Sequence, residues 1–151
     1  MAGTWATARA RIAVILDGRT ITSPYTEELN CYEYPPPAPQ TELIPYAYII
    51  PASRTVRRMP TSWRETTVEA RVRVLLAGKD GVSAEDLAQR YDAWVDNLIT
   101  AFDTALALDG NADIIGDQTI DGLQFFDLDQ LWGFECGLGA VRISEAITPG
   151  A

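Results

Sequence analysis

Residues 64–108 read RETTVEARVRVLLAG (64–78), KDGVSAED (79–86) and LAQRYDAWVDNLITAFDTALAL (87–108). The first stretch alternates. Val68, Ala70, Val72, Val74 and Leu76 fall on one side of an extended chain, and Glu65, Thr67, Glu69, Arg71 and Arg73 on the other. That period of two predicts a half-buried strand over 65–76. Its register is well specified, because a slip of one residue would expose every apolar side chain. The charged side carries both signs and suits either cross-strand ion pairs or contacts between subunits. In the second stretch Ser83 stands three residues before Asp86, with Glu85 in the first turn. This is a capping-box pattern with acid at the positive end of a helix dipole. In the third, Leu87, Tyr91, Trp94, Val95, Leu98, Phe102, Ala105 and Leu106 form one apolar stripe, and Gln89, Asp92, Asp96, Thr100 and Asp103 lie largely away from it. Strand and helix each offer an apolar face to the other, so the aromatic stripe reads as core rather than as a cofactor pocket.

Working outward, WATARARIAVIL (5–16) places Trp5, Ala8, Ile12, Ile15 and Leu16 at helical spacing, and Gly18 sits where a C-terminal cap belongs. Residues 19–28 read as a polar connection containing Pro24, and 29–34 (LNCYEY) as a short strand. Three consecutive prolines, Pro35 to Pro37, then favour extended polyproline geometry in a surface loop. Residues 43–50 (LIPYAYII) predict an edge or interrupted strand, because Pro45 and Pro51 cannot complete a central ladder. Residues 52–63 (ASRTVRRMPTSW) read as a polar, basic connection, so that 35–63 is expected to be an extended Pro-rich and basic loop region. Residues 109–118 are turn-rich. Residues 119–127 and 132–146 look like the arms of a final hairpin, whose glycines Gly133, Gly137 and Gly139 suggest a bulge. Residues 147–151 should fray. The expectation is one α+β domain over 1–151: a small, mainly antiparallel sheet with an N-terminal helix and one long amphipathic helix packed on it.

The 151 residues suffice for a proper core. The net charge of −9 is unevenly spread: residues 1–79 carry ten Arg or Lys against seven Asp or Glu, residues 80–151 two against fourteen. Gripping nucleic-acid phosphates relies on Lys and Arg, which argues against a DNA-binding module. An acidic surface can instead keep a protein soluble, or line a passage through which DNA slides without adhering. Cys31 and Cys136 are far apart, belong to no C-x-x-C pair and read as buried reduced thiols. The N-terminus lacks the apolar core of a secretory signal, and no stretch approaches the ~18 apolar residues of a membrane helix. A protein made and kept in a cytoplasm, or in something assembled there, is expected.

The chain has no histidine, which removes Ser-His-Asp and Cys-His nucleophile systems and His-ligated metals. Two lone cysteines cannot build a Cys₄ zinc site. Asp109, Asn111 and Asp113 imitate the start of an EF-hand loop, but Ile114 and Ile120 stand at its sixth and twelfth positions. Asp117, Thr119, Asp121 and Gly122 begin a second imitation that ends on Leu128. Both read as acidic turns. Gly137 to Ala140 lacks the third glycine and following helix of a phosphate cradle. No catalytic, cofactor-binding or metal-ligating residues are expected.

The order of parts then carries weight. A short helix leads to CYEYPPPAP (31–39), then LIPYAYIIPAS (43–53), then VEARVRVLLAG (68–78), then a capped helix containing AQRYDAWVDNLITAFD (88–103), then a hairpin. In pattern and order, over roughly residues 5–143, this resembles the tail-terminator, or tail-completion, proteins of long-tailed bacteriophages. The resemblance implies an α+β fold and a structural, non-enzymatic role in the virion tail or neck, assembled in the host cytoplasm. It implies a ring, typically a hexamer, at the head-proximal end of the tail tube. That ring ends tube polymerisation and joins the tail to head-completion (neck) proteins, with genome DNA passing through its lumen. It implies no catalytic residues and no membrane partner. The long stretch from Pro35 to Trp63 departs from the pattern. Two alternatives stand beside it: another neck or head–tail connector protein, and a small-ligand or peptide-binding α+β domain using an exposed sheet edge. A ring needs one surface to meet a different surface on its neighbour. The candidates are the charged strand face (Glu65, Glu69, Arg71, Arg73) and the basic stretch before it (Arg54, Arg57, Arg58).

Overall fold

The computed structural model describes residues 4–37, 44–79, 82–103 and 112–146, without the side chains of Ala52, Glu145 and Ala146. Helix α1 (Trp5–Leu16) starts where Thr4 Oγ1 accepts the Thr7 N–H at 3.1 Å, replacing a helical partner that the first turn lacks. It ends at Asp17 and Gly18, whose φ of +82° is one a side chain would resist. The Asp17 carboxylate accepts the Cys31 N–H at 2.9 Å and ties this end of α1 to the sheet. Helix α2 (Ala84–Asp103) begins as its capping pattern predicts, with Ser83 Oγ accepting the Asp86 N–H at 3.1 Å. Leu87, Trp94, Leu98 and Phe102 of the expected stripe are buried; Ala105 and Leu106 lie outside the described residues.

The main sheet is organised around β5 (Trp63–Gly78). On one side β5 pairs with β4 (Tyr46–Met59), beyond which β3 (Asn30–Tyr32) runs parallel to Tyr46–Tyr48. On the other side lies β9 (Leu131–Ala146), and β9's far edge is covered in turn by β6 (Ala112–Ile115), β7 (Thr119–Ile120) and β8 (Gln124–Phe126). Every pairing in this sheet except β3–β4 is antiparallel, which makes the fold the expected α+β arrangement. Val68, Ala70, Val72, Val74 and Leu76 point together into the main core with α1 and α2, as their alternation requires. A smaller cluster of Tyr46, Tyr48, Leu75, Phe126 and Leu131 fills one end of the opposite, open face.

Four expectations are corrected. Residues 52–59 are not a loop: they continue β4, which turns through Pro60, Thr61 and Ser62 (φ +64°) into β5. A three-residue hairpin loop with a left-handed last position is a common tight connection. Pro51 is accommodated at an irregularity in the β4–β5 ladder between Pro51 and Ser53, where a lost donor does least harm. Residues 19–28 are not merely a connection. They form a small ladder, β1 (Thr20–Ile21) against β2 (Glu27–Glu28), strapped to α2. Asn97 Nδ2 donates to the Thr20 carbonyl at 2.9 Å, Tyr25 donates to Asp86 at 2.9 Å, and Arg90 pairs with Glu27. Within the turn-rich 109–118, residues 112–115 are strand β6. Finally, the first arm of the terminal hairpin is broken into β7 and β8 by residues 121–123. The glycines of β9 do mark a bulge: from Glu69 to Arg71 β5 advances two residues while β9 advances three, with Gly139 at φ +80°. Residues 147–151 lie outside the described residues.

Candidate interaction surface

Antiparallel partners share a face of the sheet, so the register divides the seven candidate residues. Glu65, Glu69, Arg71 and Arg73 all stand on the open face, as their alternation predicts. Arg57, opposite Glu65, joins them. Arg54 (opposite Val68) and Arg58 (opposite Arg64) stand on the other face, the side of the helices. The basic stretch is therefore split between two surfaces, because a strand separates what a loop could have gathered.

Along the open face, Arg71 and Arg73 are used inside the molecule. Arg73 donates to Glu135 Oε2 from Nε and Nη2 at 3.0 and 2.7 Å, and from Nη1 to Asp129 at 3.1 Å and the Tyr48 hydroxyl at 3.0 Å. Its guanidinium lies 4.2 Å from the centre of the Phe126 ring. Arg71 donates to Glu135 Oε1 at 2.8 Å and reaches across β9 to Asp121. The cross-strand partner of Arg71 is Gly137, and a Cβ there would lie 2.6 Å from Thr119 Oγ1 and 3.3 Å from Arg71 Nη1. Glycine keeps that crossing open. Within the chain these arginines make the ion pairs that are one of the two uses their alternation offers.

The network sets its own protonation. Burial alone would push the Glu135 carboxyl up, but hydrogen bonds and charge from Arg71 and Arg73 outweigh it and hold its pKa below the ordinary carboxylate value. Tyr48 is pushed up to about 12, first by burial and then by its hydrogen bond to Asp129. The cysteines are both free, on β3 and β9 with β4 and β5 between them. Burial raises Cys31 to about 12, with Asp17 adding to it, and Cys136 to about 11. Thiols so placed are poor nucleophiles at neutral pH.

Glu135, Asp121 and Asp129 were not legible as partners, since only the β5–β9 register brings Glu135 opposite Arg73. Among the described residues no three Cys, Asp or Glu side chains are grouped to hold a metal ion. Asp109 and Asn111 lie outside them, and Asp121 is engaged by Arg71. Among the described residues no helix is long and apolar enough to cross a membrane.

The distal half of the β4–β5 hairpin differs. Among the described residues Arg54, Arg57 and Arg58 have no ion-pair partner. Val56 is 44% exposed and Trp63 47%. Between this arm and the first turn of α1 lies a cleft of about 250 Å³ that touches Trp5, Arg54, Val56, Arg58 and Ile143. From Ile49 to Met59 the outer edge of β4 has no partner strand among the described residues. No protein-family model matches the chain, and no curated protein sequence matches it.

Proposed function

We propose that this chain is a structural ring protein, the terminator at the head-proximal end of a bacteriophage tail tube. In this reading copies associate side by side, most simply as a hexamer. The ring ends tube growth, presents a surface to neck proteins and lets genome DNA pass through its lumen. The order of elements over residues 5–143 supports it. So does the concentration of acid in residues 80–151, which would discourage DNA from adhering. The observation that carries it is the hairpin arm: Arg54, Arg57 and Arg58, which have no ion-pair partner among the described residues, lie on the same arm as half-exposed Val56 and Trp63 and make a surface for a neighbour to cover.

The test is mass photometry of the purified chain, alone and with capped tail tubes or neck complexes. The expected result is a discrete ring or saturable binding at one tube end. A monomer that ignores both tubes and necks removes this reading. Binding to necks alone favours the connector alternative. The open β4 edge from Ile49 to Met59 favours a second reading, an extended peptide added as a strand. Its signature is a stoichiometric peptide complex without self-association.

A further inference from the structure

We infer that the helix-side face of the β4–β5 arm docks on the outward face of α2 in a second copy of this chain, a contact that rests on the ring reading above. On α2, Glu85, Asp92, Asp96 and Asp103 are spaced by seven, four and seven residues, which at 100° per residue puts them within about 20° of one line. Glu85, Asp92, Asp96 and Asp103 are all exposed. None has an ion-pair partner among the described residues. Ile99, 40% exposed, lies beside this line between Asp96 and Asp103. On the arm, Arg54, Val56 and Arg58 alternate along one face, so an apolar side chain again stands between two charges.

The two patterns are complementary in sign and in scale. Four strand residues separate Arg54 from Arg58 by ~13 Å, and seven helical residues separate Asp96 from Asp103 by ~10.5 Å. Long arginine side chains bridge that difference while Val56 meets Ile99. Among the described residues no ion pair joins arm and helix within the chain, so each surface is available to a neighbour. The surfaces differ, which makes the contact heterologous. Such contacts propagate head to tail and close into a ring when the rotation allows.

Two reversed proteins test this: Arg54→Glu with Arg58→Glu, and Asp96→Arg with Asp103→Arg. All four positions are exposed, so circular dichroism and thermal melting should match the parent. Arg11→Glu, exposed on α1 and part of neither surface, is the control. Sedimentation velocity on the full chain at low salt should show the parent assembling. Each reversed protein should lose at least about tenfold in association constant, and Arg11→Glu should not. An equimolar mixture of the two reversed proteins should recover the assembly, because each then offers the other an opposite charge. Assembly unchanged by both reversals overturns the docking and leaves the ring reading standing. Loss in both without recovery on mixing also overturns it, since the two surfaces then do not meet. A parent that stays monomeric to about 1 mM overturns it as well, the contact being weaker than about 4 kcal/mol. Tube-end binding then judges the ring reading separately.

Discussion

The proximal and distal halves of the β4–β5 hairpin share one antiparallel ladder, irregular only between Pro51 and Ser53, and differ in what covers them. Proximally, Ala47, Ile49, Val72 and Val74 are covered by two helices on one face, and Arg71 and Arg73 are neutralised by Glu135, Asp121 and Asp129 on the other. Distally, β4 carries Arg54, Val56, Arg57 and Arg58 into solvent, and among the described residues these arginines have no carboxylate partner. The sheet is thus half scaffold and half arm. Charge on the scaffold half is part of the fold, whereas Arg54, Arg57 and Arg58 on the arm are left for the association proposed above.

Tryptophan gives the largest contrast. Trp94 is fully buried beneath the sheet, and Trp63 at the arm's turn is half exposed. Trp94→Ala should cost about 3–5 kcal/mol, a large share of a domain's stability. Trp63→Ala should cost about 1 kcal/mol or less. Urea unfolding of both reads the difference, and equal losses would erase the division into scaffold and arm. Trp94 Nε1 has no hydrogen-bond partner among the described residues. Trp94→Phe should therefore be milder than its lost volume suggests, and it serves if the alanine variant does not fold.

Glu135 comes next. Glu135→Gln keeps the shape but removes the charge that holds Arg71 and Arg73, and should cost about 2 kcal/mol near neutral pH. The sign with pH follows from its lowered pKa. A carboxyl whose folded pKa is depressed contributes stability that is complete above its ordinary value of 4.5 and is lost as pH falls through the folded value. The gap between wild type and Glu135→Gln should therefore narrow below pH 4.5. A gap that stays constant would show that Glu135 acts through shape and not through charge.

How much of this could be read beforehand depends on whether a residue's role is local. The 65–76 strand and the α2 stripe were legible because an apolar period of two or of 3.6 is imposed by burial on one face. Residues 52–59 read as a loop for the converse reason. An arm that leaves the core has no buried face, so SRTVRRM shows no apolar alternation although its backbone is strand. The ion-pair network was legible only in part. Mixed charge on the open face announced cross-strand partners, but their identity depends on the offset of β9 against β5. That offset is shifted once near Gly139 and again between Leu75 and Ala77. Bulges of this kind are nonlocal decisions.

Gly137 tests the closeness of the scaffold half at smaller amplitude. Gly137→Ala should cost about 1–3 kcal/mol, because the new Cβ meets Thr119 Oγ1 at 2.6 Å. Thr119→Ala removes that obstacle, so the double variant should recover part of the loss. The remaining 3.3 Å approach to Arg71 sets what is not recovered. A double-mutant cycle measures the coupling, and strictly additive losses would mean that the glycine is needed for some other reason.

The smallest expected effect falls on the arm, and its smallness is what gives it value. Arg54→Glu with Arg58→Glu should change unfolding free energy by no more than about 0.5 kcal/mol, the usual range for exposed substitutions. The same pair should weaken assembly at least about tenfold if the arm is an interface. Reversal of Arg73 gives the opposite profile: its charge is satisfied by Glu135 and Asp129 in the same chain. Introducing a glutamate there places three carboxylates together and should unfold the protein before it affects any neighbour. Unfolding and sedimentation measured on both reversals therefore separate the two halves along independent axes. If Arg54 and Arg58 proved as costly to folding as Arg73, their freedom in the folded chain would be only apparent, and the arm would belong to the scaffold.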